Sequence, residues 1–141
     1  MASHGKSMGT SASPERVWRL WSDVGSWPAW NPDVEAVTID GAFATGTTGR
    51  MTTKAGGTHD IALRAVQPGR SFELATSPIP LGRFHFTCEV RPAGQETSTI
   101  SQSITIRGPL GPLYTAMMGA RIAAGFEPIL SGLKAAAEAA R

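Results

Sequence analysis

Six consecutive segments between residues 35 and 107 alternate apolar and polar side chains, each separated from the next by turn-forming residues. A period of two puts successive side chains on opposite faces of a strand, so this run predicts an antiparallel meander with one buried and one wet face. In residues 35–39, Val37 and Ile39 share a face, and Asp40-Gly41 marks the hairpin that follows. Residues 47–54 put Met51 and Thr53 inside and Arg50, Thr52 and Lys54 outside, before Gly56-Gly57 turns the chain. Ile61, Leu63 and Ala65 alternate up to Pro68-Gly69, Phe72 and Leu74 flank Glu73, and a longer connection is expected across 78–82. In residues 83–90, Phe84, Phe86, Cys88 and Val90 face inward, which points His85, Thr87 and Glu89 toward solvent. Residues 97–107 carry Ile100, Gln102, Ile104 and Ile106 on one face.

The pattern changes after Gly108-Pro-Leu-Gly-Pro112. Within residues 113–140, Met118, Ile122, Phe126, Ile129, Leu133 and Ala137 recur at helical spacing. Pro128 lies inside this pattern, has no N–H to donate, and sets its ring against the carbonyl of Ala124. A kink near 124–128 is therefore expected. Residues 113–124 should then border a cavity, and residues 129–140 should pack as plain core. One long amphipathic helix against a curved antiparallel sheet is a two-layer α+β domain.

Ahead of the sheet, Ser13 is suited to cap a helix, Pro14 to its first position and Glu15 to its positive end. Val17, Leu20, Trp21 and Val24 make one apolar stripe, and Gly25 ends the helix. Trp27, Pro28, Trp30 and Pro32 follow, too much apolar area for an exposed loop. This loop is expected to pack over one end of a cavity. Residues 6–12 read as a weak first strand, residues 1–7 as disordered with His4 in a mobile terminus, and 1–141 as a single domain.

The stretch SASPERVW…DVGSWPAWNP resembles the opening of the START-related polyketide cyclase/dehydrase superfamily, and the similarity extends over roughly residues 8 to 140. The resemblance implies a helix-grip fold, in which a curved antiparallel sheet wraps a long C-terminal helix around an internal cavity. It implies a hydrophobic or aromatic small molecule as partner. Cyclase relatives fold a reactive poly-β-ketone and move protons, which requires shape and a few polar groups rather than a nucleophile. A second reading on the same fold is a non-enzymatic module that binds other proteins or assists chaperones. An open cavity favours the first reading, and a filled core with an apolar surface patch favours the second.

The residues themselves supply no strong chemistry. Gly41-x-x-x-x-Gly46-Thr47 lacks the lysine of a phosphate-binding loop and sits between strands. No Gly-x-Ser-x-Gly elbow is present, and His4, His59 and His85 lack metal-ligand spacing. Neither a metal nor a cofactor is expected, and the catalytic residues, if any, stay unassigned. Cys88 reads as inert core filler. Gln102 is the informative residue, because a buried amide among isoleucines needs a partner, either protein, water or ligand. The candidate ligand-binding set is Trp27, Trp30, Met51, Thr53, His59, Ile61, Phe72, Leu74, Phe84, Phe86, Gln102, Tyr114, Met117, Met118 and Arg121. His59 reads either as a solvated rim residue or as one that orients a ligand, and Arg121 either as a solvated helix residue or as one meeting an anion.

Composition narrows the setting. One cysteine allows no internal disulfide and favours a cytoplasmic address. A net charge of +2 with scattered Lys and Arg offers no basic stripe for nucleic acid. No apolar run reaches the roughly 20 residues a membrane span needs, and residues 1–12 lack the apolar core of a signal peptide. The sequence leaves the oligomeric state open.

Overall fold

The computed structural model describes residues 4–79 and 81–139, except for the side chains of 77–79. Seven antiparallel strands form one sheet in the order β1-β7-β6-β5-β4-β3-β2. These are β1 (His4–Thr10), β2 (Val34–Ile39), β3 (Thr48–Thr53), β4 (Thr58–Gln67), β5 (Ser71–Ile79), β6 (Gly82–Gly94) and β7 (Thr97–Arg107). From β2 to β7 the chain is the meander that the alternation predicts. β5 runs on to Ile79 and β6 starts at Gly82, so the connection there is tighter than the prolines suggested.

The N-terminal expectation needs correction. Residues from His4 onward are strand, paired in register with β7 from His4↔Ile104 to Thr10↔Ser98; residues 1–3 lie outside the described residues. Weak β propensity in Gly5, Ser7 and Gly9 is overridden by tertiary pairing. Gly5 is part of the reason, since a Cβ there would come within 2.9 Å of the Gln102 carbonyl oxygen. The strand's end is tied down by Glu138, which accepts hydrogen bonds from Thr10 Oγ1 (2.7 Å) and Ser11 N–H (3.0 Å).

Helix α1 (Pro14–Ser22) starts as expected, with Ser13 Oγ accepting from the Arg16 amide at 3.3 Å. A 3₁₀ turn (Val24–Ser26) leads into α2 (Trp27–Trp30), so the tryptophan segment is helical rather than an irregular loop. At the other end of the chain, α3 (Gly111–Tyr114), a π turn (Thr115–Gly119), α4 (Ala120–Ala124) and α5 (Phe126–Ala139) follow one another. The whole is the helix-grip fold, with a long bent C-terminal helix held in the curve of the sheet.

The bend falls at Gly125, whose amide bonds back to the Ile122 carbonyl at 3.0 Å. Pro128 lands in the first turn of α5, where a missing N–H leaves no helical bond unmade. Phe126, Ile129, Leu130, Leu133 and Ala137 are buried along α5, and the core they enter includes Ile100, Ile104, Val90, Leu63 and Val17.

Candidate functional site

The concave face of the sheet does not close completely on the bent helix. Between them lies a cavity of about 370 Å³. Its sheet wall comes from Met51 and Thr53 (β3), Phe72 and Leu74 (β5), Phe86 and Cys88 (β6) and Gln102 (β7). Register puts Phe72, Cys88 and Gln102 in one row across β5, β6 and β7. The opposite wall is Arg121 and Ile122 of α4, Gly125 at the bend, and Phe126 and Ile129 of α5. Trp21, Trp27, Trp30, Asn31, Asp33 and Val34 complete the lining.

The tryptophan end is built on Phe72. Ring centroids of Trp21, Trp27 and Phe43 stand 5.5, 6.1 and 5.1 Å from it, and Trp27 and Trp30 are 6.2 Å apart. Such edge and tilted pairs stabilise by about 0.5–1.5 kcal/mol each beyond burial alone. The indole N–H groups are turned into the protein. Trp27 Nε1 donates to the Trp21 carbonyl at 3.0 Å, and Trp30 Nε1 donates to Ser26 Oγ at 3.2 Å. Both indoles are buried, at 4% and 8% exposure, so they present ring surface rather than polar edges to the cavity. Gly132 explains how α5 reaches them, because a Cβ there would sit 1.9 Å from the Trp30 carbonyl oxygen.

Few polar groups reach this space, and two are already engaged. Thr53 Oγ1 donates to the Gly56 carbonyl at 3.2 Å, and Asn31 Oδ1 accepts from the Asp33 amide at 2.9 Å. The Gln102 amide, the Arg121 guanidinium and the Asp33 carboxylate have no side-chain partner among the described residues. Cys88 is buried beside Gln102, and burial pushes its thiol up to about 12. It is therefore a neutral thiol at physiological pH rather than a thiolate. Among the described residues, no group of three His, Cys, Asp or Glu side chains is placed to hold a metal.

Of the residues expected from sequence, Trp27, Trp30, Met51, Thr53, Phe72, Leu74, Phe86, Gln102 and Arg121 line the cavity. Six do not. Ile61 and Phe84 face the same side of the sheet but are packed as core, Phe84 edge-on to Phe86 at 6.0 Å. His59 pairs with Met51 near the start of β4, and borders a separate polar groove with Arg50, Asp60 and Arg64. Tyr114, Met117 and Met118 lie in α3 and the π turn, one to two turns before the segment that meets the cavity, and Met117 is 65% exposed. The bend at Gly125 turns the start of α5 inward, so Phe126 and Ile129 take the places assigned to those methionines.

His85 also departs from expectation, since it is only 5% exposed. It is on the outer face, as its parity requires, between Ala75 and Thr105 in register, with Nδ1 hydrogen-bonded to Glu73. Alternation assigns a face, whereas exposure depends on neighbours.

The pattern of the family described as polyketide cyclase/dehydrase and lipid transport matches residues 6–138. The chain belongs to this family. No curated protein matches the chain. Solved structures with the same fold include a START superfamily protein from Mycobacterium smegmatis, at TM-score 0.75 and 16% identity, covering 99% of both chains. An uncharacterised protein from Bacillus thuringiensis has TM-score 0.77 and 20% identity, covering 97% of this chain and 99% of that one. Norcoclaurine synthase from Thalictrum flavum, solved in complex with dopamine and hydroxybenzaldehyde, has TM-score 0.75 and 17% identity, covering 99% and 88%. At these identities the likeness is one of fold.

Within this polyketide cyclase/dehydrase fold, sequence reasoning missed Trp21, Asn31, Asp33, Val34, Cys88, Ile122, Phe126 and Ile129 as lining residues. Apolar periodicity marks Trp21, Cys88, Ile122, Phe126 and Ile129 as inward-facing but cannot separate a packed position from one that borders empty space, and no sequence pattern points to Asn31 or Asp33. Among the described residues, no helix is long and apolar enough to cross a membrane.

Proposed function

We propose that this chain binds a hydrophobic, aromatic small molecule in the cavity between the sheet and the bent helix. The observation that carries the reading is the cavity itself: about 370 Å³, walled by Trp21, Trp27, Trp30, Phe72, Phe86 and Phe126, with a Gln102 side-chain amide in the wall that has no partner among the described residues. Small-molecule sites commonly combine apolar walls with a few placed polar groups in roughly 300–1,000 Å³. A cavity of 150 Å³ admits benzene, which scales to a ligand of about 15 non-hydrogen atoms here. Family membership supports a ligand-binding role, and the norcoclaurine synthase complex places aromatic molecules on a protein of this fold.

The open space supports binding over the protein-interaction reading, which a filled core would have favoured. Cyclisation or dehydration of the bound molecule is the finer reading. It would rest on positioning by the aromatic walls and on hydrogen bonds from Gln102, with the neutral Cys88 thiol unsuited to act as a nucleophile. Native mass spectrometry of protein purified from cell extract tests the binding claim. A bound small-molecule mass released on denaturation is expected. Bare protein only, combined with no uptake of lipophilic aromatic probes, would overturn it.

A further inference from the structure

The cavity lining carries an arginine that forms no ion pair among the described residues. Arg121 of α4 lines the opening, and the four ion pairs of the described residues join Arg50 to Asp60, His85 to Glu73, Arg91 to Glu89 and Lys134 to Glu138. Arg121 is in none of them. Its neighbours at three and four residues along the chain are Met117, Met118, Ala124 and Gly125, so no helical acid can pair with it. Arg121 is exposed and lines the same cavity as Trp21, Trp27, Trp30, Phe72, Phe86 and Phe126.

We infer that the ligand is an aromatic carboxylate, its rings between the aromatic walls and its acid group on Arg121. The inference rests on the proposed binding role and names its substrate class. A guanidinium offers paired donors whose geometry matches a carboxylate. The other unpartnered charge at the opening, Asp33, is placed differently. Its backbone is fixed by the Asn31 side chain and by the Lys54 amide, which donates to the Asp33 carbonyl at 3.0 Å, and a cationic probe tests whether its carboxylate, rather than Arg121, receives a ligand's charge. Gln102, reaching in from the sheet wall opposite α4, offers a second donor to an oxygen on the ring system.

Calorimetric titration with 2-naphthoate, its neutral near-isostere 2-naphthamide and the cation 2-naphthylmethylamine separates the possibilities. Surface exposure of Arg121 limits the expected preference for the acid to about twofold to fivefold at low ionic strength, shrinking as salt is added. In Arg121→Met the ratio of acid to amide affinity should fall to about one, and Arg121→Lys should recover part of it. Equal binding of acid and amide by the wild type, or tighter binding of the amine, overturns the anionic assignment and leaves the aromatic site standing. Failure of all three to bind up to their solubility limits overturns the aromatic site as well.

Discussion

Gln102 stands in β7 between Ile100 and Ile104 with no hydrogen-bond partner for its amide among the described residues, in a wall otherwise apolar. An amide that the protein itself does not satisfy contributes little to folding. Gln102→Leu should therefore leave the urea midpoint unchanged or raise stability by up to about 1 kcal/mol, while altering affinity for any oxygen-bearing ligand. A loss above about 1 kcal/mol would mark the amide as structural. Glu138 is the opposite case. Its carboxylate accepts from Lys134 Nζ at 2.8 Å, Thr10 Oγ1 at 2.7 Å and the Ser11 amide at 3.0 Å, which together hold its pKa down from 4.5 to about 2. A carboxylate with a lower pKa folded than unfolded stabilises the protein above the unfolded value. That contribution is lost as the pH falls from 4.5 toward about 2. Comparing urea midpoints of wild type and Glu138→Gln should show a wild-type advantage near neutral pH that disappears across this window. An advantage independent of pH would contradict the assignment.

At the scale of elements, the contact between α5 and α2 sets the depth of the cavity. Gly132→Ala would gain about 1 kcal/mol of helix propensity, but its methyl would meet the Trp30 carbonyl oxygen at 1.9 Å, a backbone atom with nowhere to go. Overpacking outweighs the gain, so a net loss of about 1–3 kcal/mol is expected in chemical denaturation, together with altered tryptophan emission. The bend at Gly125 likewise predicts faster hydrogen exchange across 113–126 than across 129–137, slowing when the cavity is filled; uniform protection would contradict it. Both elements show how far sequence carries. The strands β2 to β7 were legible because alternation is a local property of each segment. The bend was legible through Pro128, yet the break itself falls three residues earlier, at Gly125, because that places the proline in a first turn where it does no harm. β1 was legible only as a weak strand over residues 6–12, and its start at His4 was not, since its order comes from β7 and Glu138 rather than from its own residues.

For the molecule as a whole, the sheet, the bent helix and the tryptophan turn enclose a space that no one of them defines. Parity named the inward side of each strand, and nine of the fifteen residues it and the helical pattern suggested do line that space. Where packing closes and where it stays open depends on the axis of α5 against α2, which a single sequence does not encode locally. A ligand bound in this space would perturb the groups that line it. The most direct test of such binding is a ¹H–¹⁵N correlation spectrum of the protein titrated with 2-naphthamide, which has no charge to bring it to the surface arginines. Concentration-dependent shifts are expected at the Trp27 and Trp30 indole N–H signals, the Gln102 side-chain amide and the backbone amides of Cys88, Gly125 and Phe126. Shifts confined to the outer groove around Arg50, Asp60 and Arg64, or none at saturating probe, would contradict binding in this space.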